Sequence, residues 1–217
     1  MSRSTQLATV VAVLGAAFAA GALVYRHIAA SRPEPAGSME SIALPIVPGV
    51  TVPKGTVPAT LPDITLPDLA GRPHSIHEWA GRPLAINFWA TWCGPCREEI
   101  PLLHQLRRER RAEGLEVVGI AVDIAKDVQA FVAKTPIEYP VLVGEEDGAQ
   151  AAAAFGVQEL ALPFTVFLDR RGRVLALRMG QLHEAQAKLI LDALRDVDSG
   201  ALDLRVAQER VASGLRK

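Results

Sequence analysis

Leu84-Ala-Ile-Asn-Phe-Trp-Ala-Thr-Trp-Cys93-Gly-Pro-Cys96 decides the fold of this chain. Residues 84–89 form an apolar run of the kind that a central strand shows when both of its faces are covered. The run enters an aromatic turn, and two thiols then flank a Gly-Pro dipeptide where a helix is expected to start. Cys93 and Cys96 are the two cysteines of the sequence. At this spacing they can close on each other as a small ring, which opens and reforms by exchange with the cysteines of another protein. Half of a zinc site would need a second half. No further cysteine exists, and His74 and His77 are separated by two residues, where a zinc pair takes three to five. A purely structural disulfide over so short a loop removes little entropy from the unfolded chain. Redox chemistry is therefore the preferred reading.

The 217 residues suit one domain with appendages. A formal net charge of -1 gives no electrostatic footprint for nucleic acid. The composition, 49% hydrophobic and 22% charged, fits a globular protein with additional apolar sequence. That addition is residues 7–24, which carry no charged side chain. As a helix they would span about 27 Å, near the minimum for a bilayer core. Arg3 precedes them; Tyr25, Arg26 and His27 follow. An uncleaved signal anchor competes with a cleaved signal peptide, for which Ala17-Phe18-Ala19 offers a small-x-small site. Length and the Tyr25-Arg26 flank favour the anchor, and either reading exports the rest of the chain. The expected organisation is an anchor or signal peptide over 1–30, a Pro-rich, extended linker over 31–59, an α/β domain over 60–197, and a C-terminal tail or peripheral helix over 198–217.

Within the domain, residues 64–66 and 75–76 flank the turn 70–73 and suggest a short hairpin. After Cys93, Ile100, Leu103 and Leu106 recur at helical steps. Residues 115–122 read as a second central strand, 126–134 as a helix facing in with Val128, Phe131 and Val132, and 139–143 as a strand. A short Ala-rich helix over 148–155 follows. Residues 164–168 and 174–178 form a hairpin about Asp169-Arg-Arg-Gly172, and 181–197 close the domain as a helix. This alternation gives an α/β sandwich on a central mixed sheet. Residues 203–215 make a weak stripe of Leu204, Val206, Val211 and Leu215, so that helix is expected to be peripheral.

The stretches 61–73, 81–101, 117–123, 155–157 and 164–172 together resemble the exported thioredoxin-like thiol-disulfide reductases of the TlpA/ResA/CcmG type. The resemblance covers residues 60 to 197. It implies a thioredoxin-like fold with an N-terminal hairpin and an inserted helix-strand segment. It also implies a protein that keeps client cysteines reduced outside the cytoplasm, in cytochrome c maturation or copper delivery to oxidases. Pro163 is then the candidate for the cis-proline that faces the cysteine pair, with Leu162 and Phe164 as an apolar rim. The family also places an acidic residue at the position of Glu99, and Asn87 stands where cytosolic thioredoxin carries a buried aspartate.

The chemistry assigns Cys93 as the attacking thiol, because a helix N-terminus favours its thiolate. Cys96, one turn further in, resolves the mixed disulfide. Glu99 follows Cys96 by three residues and shares nearly the same helix face, so it is the candidate proton acceptor, with a raised pKa. Glu98 is rotated by about 200° and should face solvent. Trp92, Gly94, Pro95, Leu162 and Pro163 are the candidate docking residues. Trp89 should pack about the turn and Trp79 in the hairpin, and Pro101 should kink the helix. His74, His77, His104, His183 and the run Arg107–Arg111 are expected on solvated surfaces. No cofactor and no metal are expected. The expected partners are client proteins with disulfides and a membrane dithiol electron donor, and a monomer held to the inner membrane by a single span is expected, its catalytic domain facing the periplasm or cell exterior. Three rival readings are weighed. A peroxidase shares the fold, but Thr91 precedes Cys93 by two residues where the peroxidatic motif needs three. A non-enzymatic copper-handling module would use the two thiols as soft ligands, without a nearby His or Met to complete the site. A thiol oxidase or isomerase would run the same chemistry in the other direction.

Overall fold

Every residue of the strand Leu84–Trp89 is buried, because layers of structure cover both faces of the sheet to which it is central. The computed structural model describes residues 57–216. The expected anchor and all but the last residues of the linker lie outside them. In chain order the elements are β1 (Thr65–Pro67), β2 (Pro73–Ser75), a 3-10 turn (Ile76–Trp79), β3 (Leu84–Trp89), α1 (Gly94–Glu109), β4 (Glu116–Ala121), α2 (Ala125–Lys134), β5 (Val141–Val143), α3 (Glu146–Ala154), β6 (Phe164–Leu168), β7 (Val174–Met179), α4 (Glu184–Asp198) and α5 (Leu204–Gly214). The main sheet has the order β5-β4-β3-β6-β7. Strands β3, β4 and β5 run parallel, and β6 pairs antiparallel with both β3 and β7. This is the mixed-sheet, thioredoxin-like arrangement that the sequence implies, with α2, β5 and α3 between β4 and β6.

Strand periodicity sorts the core into two halves. Ala85 and Trp89 of β3 join Val117, Ala121, Val143 and Phe167 on one face, under Ile100, Leu103 and Leu106 of α1 and Ile190 and Leu194 of α4. Leu84, Ile86 and Phe88 point the other way, against Ala151 and Ala152 of α3 and Leu66 and Ile76 of the opening hairpin. There Phe88 stacks on Phe164 with ring centroids 4.3 Å apart and meets Phe155 edge-on at 5.9 Å. The β1–β2 turn is closed by Asp68, whose carboxylate accepts from the backbone N–H of Ala70 and Arg72 and from Arg72 Nε. Gly71 supplies the positive φ of 79° that this turn requires.

Four expectations are corrected. The linker boundary is earlier than residue 60: Val57 is buried in the second half of the core, and Ala59 O accepts from Val174 N–H. The C-terminal helix is not peripheral. Its buried stripe is Ala207, Gln208, Val211 and Ala212, while Val206 is exposed. Small residues let α5 lie close to its neighbours, and Gln208 Nε2 donates to Val174 O at 2.9 Å. The arginine run is a solvated face only in part: Arg108 and Arg111 are exposed, but Arg107 binds both carboxylate oxygens of Glu116 and donates to Glu138 O. Arg110 bridges Glu113 and Asp192 and so ties α1 to α4. His104 and His74 are half-buried. His104 accepts from Glu138 N–H and sits edge-on to Tyr139, and His74 lies between Asp68 and Glu78. Pro101 lies inside α1, which continues through it to Glu109. Substituting Gln208→Ala should lower unfolding free energy by about 1–2 kcal/mol, because a buried hydrogen bond is lost. Truncating the core side chain Val211→Ala should cost a similar amount, about 1–2 kcal/mol. Urea denaturation of each variant beside the parent measures both.

Candidate active site

The turn after β3 is fixed before the helix begins. Thr91 donates twice to one oxygen of Asp123, from its backbone N–H at 2.8 Å and its hydroxyl at 2.6 Å. The other oxygen of Asp123 accepts from Ile124 N–H. This buried carboxylate clamps the end of β3 to the end of β4 and sets where the next residue, Trp92, leaves the body of the protein. Trp92 is 67% exposed. Cys93 is then the N-cap of α1 in extended conformation, its Sγ accepting from Cys96 N–H at 3.3 Å, with Pro95 in the first turn. The helix N-terminus thus puts its positive end and a free N–H on the sulfur that must carry negative charge.

Cys93 and Cys96 are joined as a disulfide, with Cα atoms 5.3 Å apart. Cys96 is fully buried, and Cys93 is only 6% exposed. The attacking sulfur is thus nearly covered in the oxidised ring, while its neighbours Trp92 and Pro95 are exposed.

Below Cys96 lies Glu99, 1% exposed. Its Oε1 accepts from Asn87 Nδ2 and its Oε2 from the Leu182 backbone N–H, both at 2.7 Å. Asn87 Nδ2 also donates to Thr165 Oγ1 at 3.0 Å. Register explains the grouping. Asn87, Thr165 and Arg178 are consecutive cross-strand partners on β3, β6 and β7, so their side chains share the face on which α1 packs. Burial pushes the Glu99 carboxyl up to about 7, while the Leu182 N–H, the Asn87 amide and the charge of Arg178 hold it back. Burial first, and then the nearby charge of Glu99, raises Tyr139. Burial lowers Arg178, against the opposing pull of Glu99. Glu98 faces solvent, as its rotation about the helix requires, and receives Gln181 Nε2 at 3.3 Å.

The Leu162–Pro163 bond is cis. Phe164 pairs with Phe88, which places Pro163 at the end of β3 that delivers the cysteines, and Gly180 N–H donates to Pro163 O. Leu162 is half-buried and touches both halves of the core. Trp89 is wholly buried against Phe131, and Trp79 packs at the hairpin. The structure thus gathers the eight sequence-nominated residues at one end of the sheet. Sequence reading missed Asp123, Thr165, Arg178 and Tyr139. The one available signal was Asp123, a carboxylate placed directly after an apolar strand.

Two outcomes follow from this geometry. The folded state holds the Glu99 proton more tightly than the unfolded chain, where the group titrates near 4.5. Stability should therefore fall as pH rises from about 4.5 to about 7, by up to about 3 kcal/mol, and stay lower above that window. Glu99→Gln should flatten this dependence, as read from urea midpoints across pH. Asp123→Ala should strip three donors of their acceptor and cost roughly 3 kcal/mol, with Thr91→Ser near parental stability in the same titration.

Residues 57–177 match the model of the AhpC/TSA family. The thiol-disulfide oxidoreductase ResA of Geobacillus thermodenitrificans is 31% identical over 128 residues, 58% of this chain and 71% of the relative. The thioredoxin-like protein YneN of Bacillus subtilis is 34% identical over 130 residues, 57% of this chain and 73% of the relative. Among solved structures, a chain assigned as the thiol:disulfide interchange protein DsbE of Chlorobium tepidum superposes with a TM-score of 0.55 at 29% identity, over 65% of this chain and 95% of that one. A secreted thiol-disulfide isomerase of Corynebacterium glutamicum gives 0.55 at 26% identity, over 76% and 96%. The buried CxxC ring, the acid beneath it and these relatives agree: the chain belongs to the AhpC/TSA family and is a thiol-disulfide oxidoreductase of the TlpA/ResA/CcmG type, acting on proteins that contain disulfides.

Proposed function

We propose that this oxidoreductase works as a reductant outside the cytoplasm, held at the inner membrane by residues 7–24, and that it serves cytochrome c maturation or copper-oxidase assembly. The observation that carries the exchange chemistry is Glu99, a buried carboxyl with a near-neutral pKa one helical turn below the resolving thiol; the direction of electron flow follows the resemblance to reductases and is set by the potential of the cysteine pair. The Cys93 thiolate attacks a client disulfide; the client S–S bond breaks, one client thiolate leaves and a mixed disulfide forms. Cys96 gives its proton to ionised Glu99 and attacks Cys93 Sγ. The second client thiolate leaves, and two electrons have passed to the client. The enzyme ends as the Cys93–Cys96 disulfide of this structure. A carboxyl near 7 is ionised often enough to take that proton and protonated often enough to return it.

Trp92, Gly94 and Pro95 on one side of the cysteines, and Leu162 and Pro163 on the other, form the docking rim for an extended client segment. A single-span monomer cannot carry electrons across a membrane on its own thiols, so a membrane protein with its own dithiol recharges it. The uncharged segment 7–24 and the likeness to a secreted neighbour support export.

The midpoint potential of the Cys93–Cys96 couple tests this reading. A value near about -270 mV or lower, in glutathione or dithiothreitol buffers, fits a reductant, and one above about -180 mV overturns it in favour of an oxidase or isomerase. Cys96→Ser should trap a mixed disulfide with client, and Glu99→Gln should slow resolution at pH 7 by about 10²-fold.

A further inference from the structure

Among the described residues four buried side-chain polar atoms have no hydrogen-bond partner, and three of them are Asn87 Oδ1, Trp89 Nε1 and Tyr139 Oη. Asn87 and Trp89 are alternate residues of β3 and so share a face. Gly119 on β4 is the register partner of Asn87. A Cβ on Gly119 would lie 3.0 Å from Tyr139 Cε2 and 3.1 Å from Trp89 Nε1. Having no side chain, Gly119 lets the edges of the phenol and the indole come close to β4 at this point. Glu99 Oε1 is 2.7 Å from the amide nitrogen of Asn87.

The chemistry of these atoms is complementary. The indole N–H donates only, the phenol can donate, and the amide oxygen accepts only. Leaving all three unpaired in the core would cost about 1–3 kcal/mol for each. One small polar molecule with two donors and two acceptors pairs them all. A buried water with two to four polar partners is the ligand of that description.

We propose that Asn87, Trp89 and Tyr139 hold one water against Glu99 beside Gly119, and that Tyr139 is a positioning residue acting on Glu99 through it. The water accepts from Trp89 N–H and Tyr139 O–H and donates to Asn87 Oδ1 and to the Glu99 carboxylate. It gives the ionised carboxylate a third hydrogen bond beside those from Asn87 and Leu182. The charged group that acts on Glu99 from β7 is Arg178, Cys96 on its own helix is tied in the disulfide, and His104 sits edge-on to Tyr139. The inference rests on Glu99 as the acid of the site, yet its readouts need no client and no turnover. A failed reductase assay and a failed water site are thus separate results.

The experiment uses the full chain in detergent, labelled with ¹⁵N at tryptophan and ¹³C at glutamate. The Trp89 indole resonance is assigned with Trp79→Phe and Trp92→Phe. A long-lived water should give a rotating-frame Overhauser peak to the Trp89 indole proton, and Gly119→Ala should abolish it. Tyr139→Phe, which keeps the ring and removes the hydroxyl, should weaken that peak and raise the Glu99 midpoint by about half a pH unit or more. Absence of the peak in the parent, or its persistence in Gly119→Ala, overturns the site. An unchanged Glu99 midpoint in Tyr139→Phe overturns the positioning role. If Gly119→Ala does not fold, the parent spectrum and Tyr139→Phe decide the matter.

Discussion

The hydrogen bond from Asn87 to Glu99 joins the central strand to the helix that carries the cysteines, in the driest part of the molecule. A carboxyl buried there is tolerable only because fixed donors replace the water it gave up. The Asn87 amide and the Leu182 backbone do so from opposite sides, one from β3 and one from the segment that enters α4. Much of the fold serves to bring these groups to one point. Pairing of β6 with β3 sets Thr165 beside Asn87, and pairing of β7 with β6 brings Arg178 to the same row. Packing of α4 over the sheet carries the Leu182 N–H inward.

Around that point the electrostatics divide the two sulfurs. Cys93, at the N-cap, feels the positive end of α1, and its sulfur already accepts a backbone hydrogen bond. Cys96 is one turn deeper, fully buried, where a thiolate is disfavoured unless its proton has a nearby destination. Position along one helix thus makes one thiol the better nucleophile and leaves the other protonated until it is needed. Asp123 acts one step earlier, since without its hold on Thr91 the turn that presents Cys93 would lose its anchor on β4.

The parts of this arrangement that were legible in the sequence are the local ones. The β3 run, the cysteine spacing and Glu99 three residues on are read directly from strand and helix periods, and Pro163 follows from resemblance. The parts that were not legible join residues far apart in the chain. Thr165 meets Asn87 across 78 positions, and Asp123 meets Thr91 across 32. No period links such residues; only sheet register does. The α5 stripe was missed for a different reason, because alanines and a glutamine carry weak apolar contrast although Ala207 and Gln208 are buried. Arg107 and Arg110 of the arginine run were misread because charge predicts exposure until a partner such as Glu116 or Asp192 comes within reach.

Asn87 explains why the acid sits on the helix and not on the strand. An aspartate at 87 would place a second carboxylate against Glu99, where a nitrogen now lies at 2.7 Å. Two carboxylates at that distance cannot both ionise in a buried setting, and the pair would titrate as a unit with one proton held to high pH. The asparagine removes that charge and supplies donors in its place, to Glu99 and to Thr165. A single acid is left, set near neutrality by burial and drawn downward by the charge of Arg178 at the far end of the same row. Because Glu99 rides on the helix of the cysteines, its distance from Cys96 is fixed by helix geometry and does not depend on how the sheet packs.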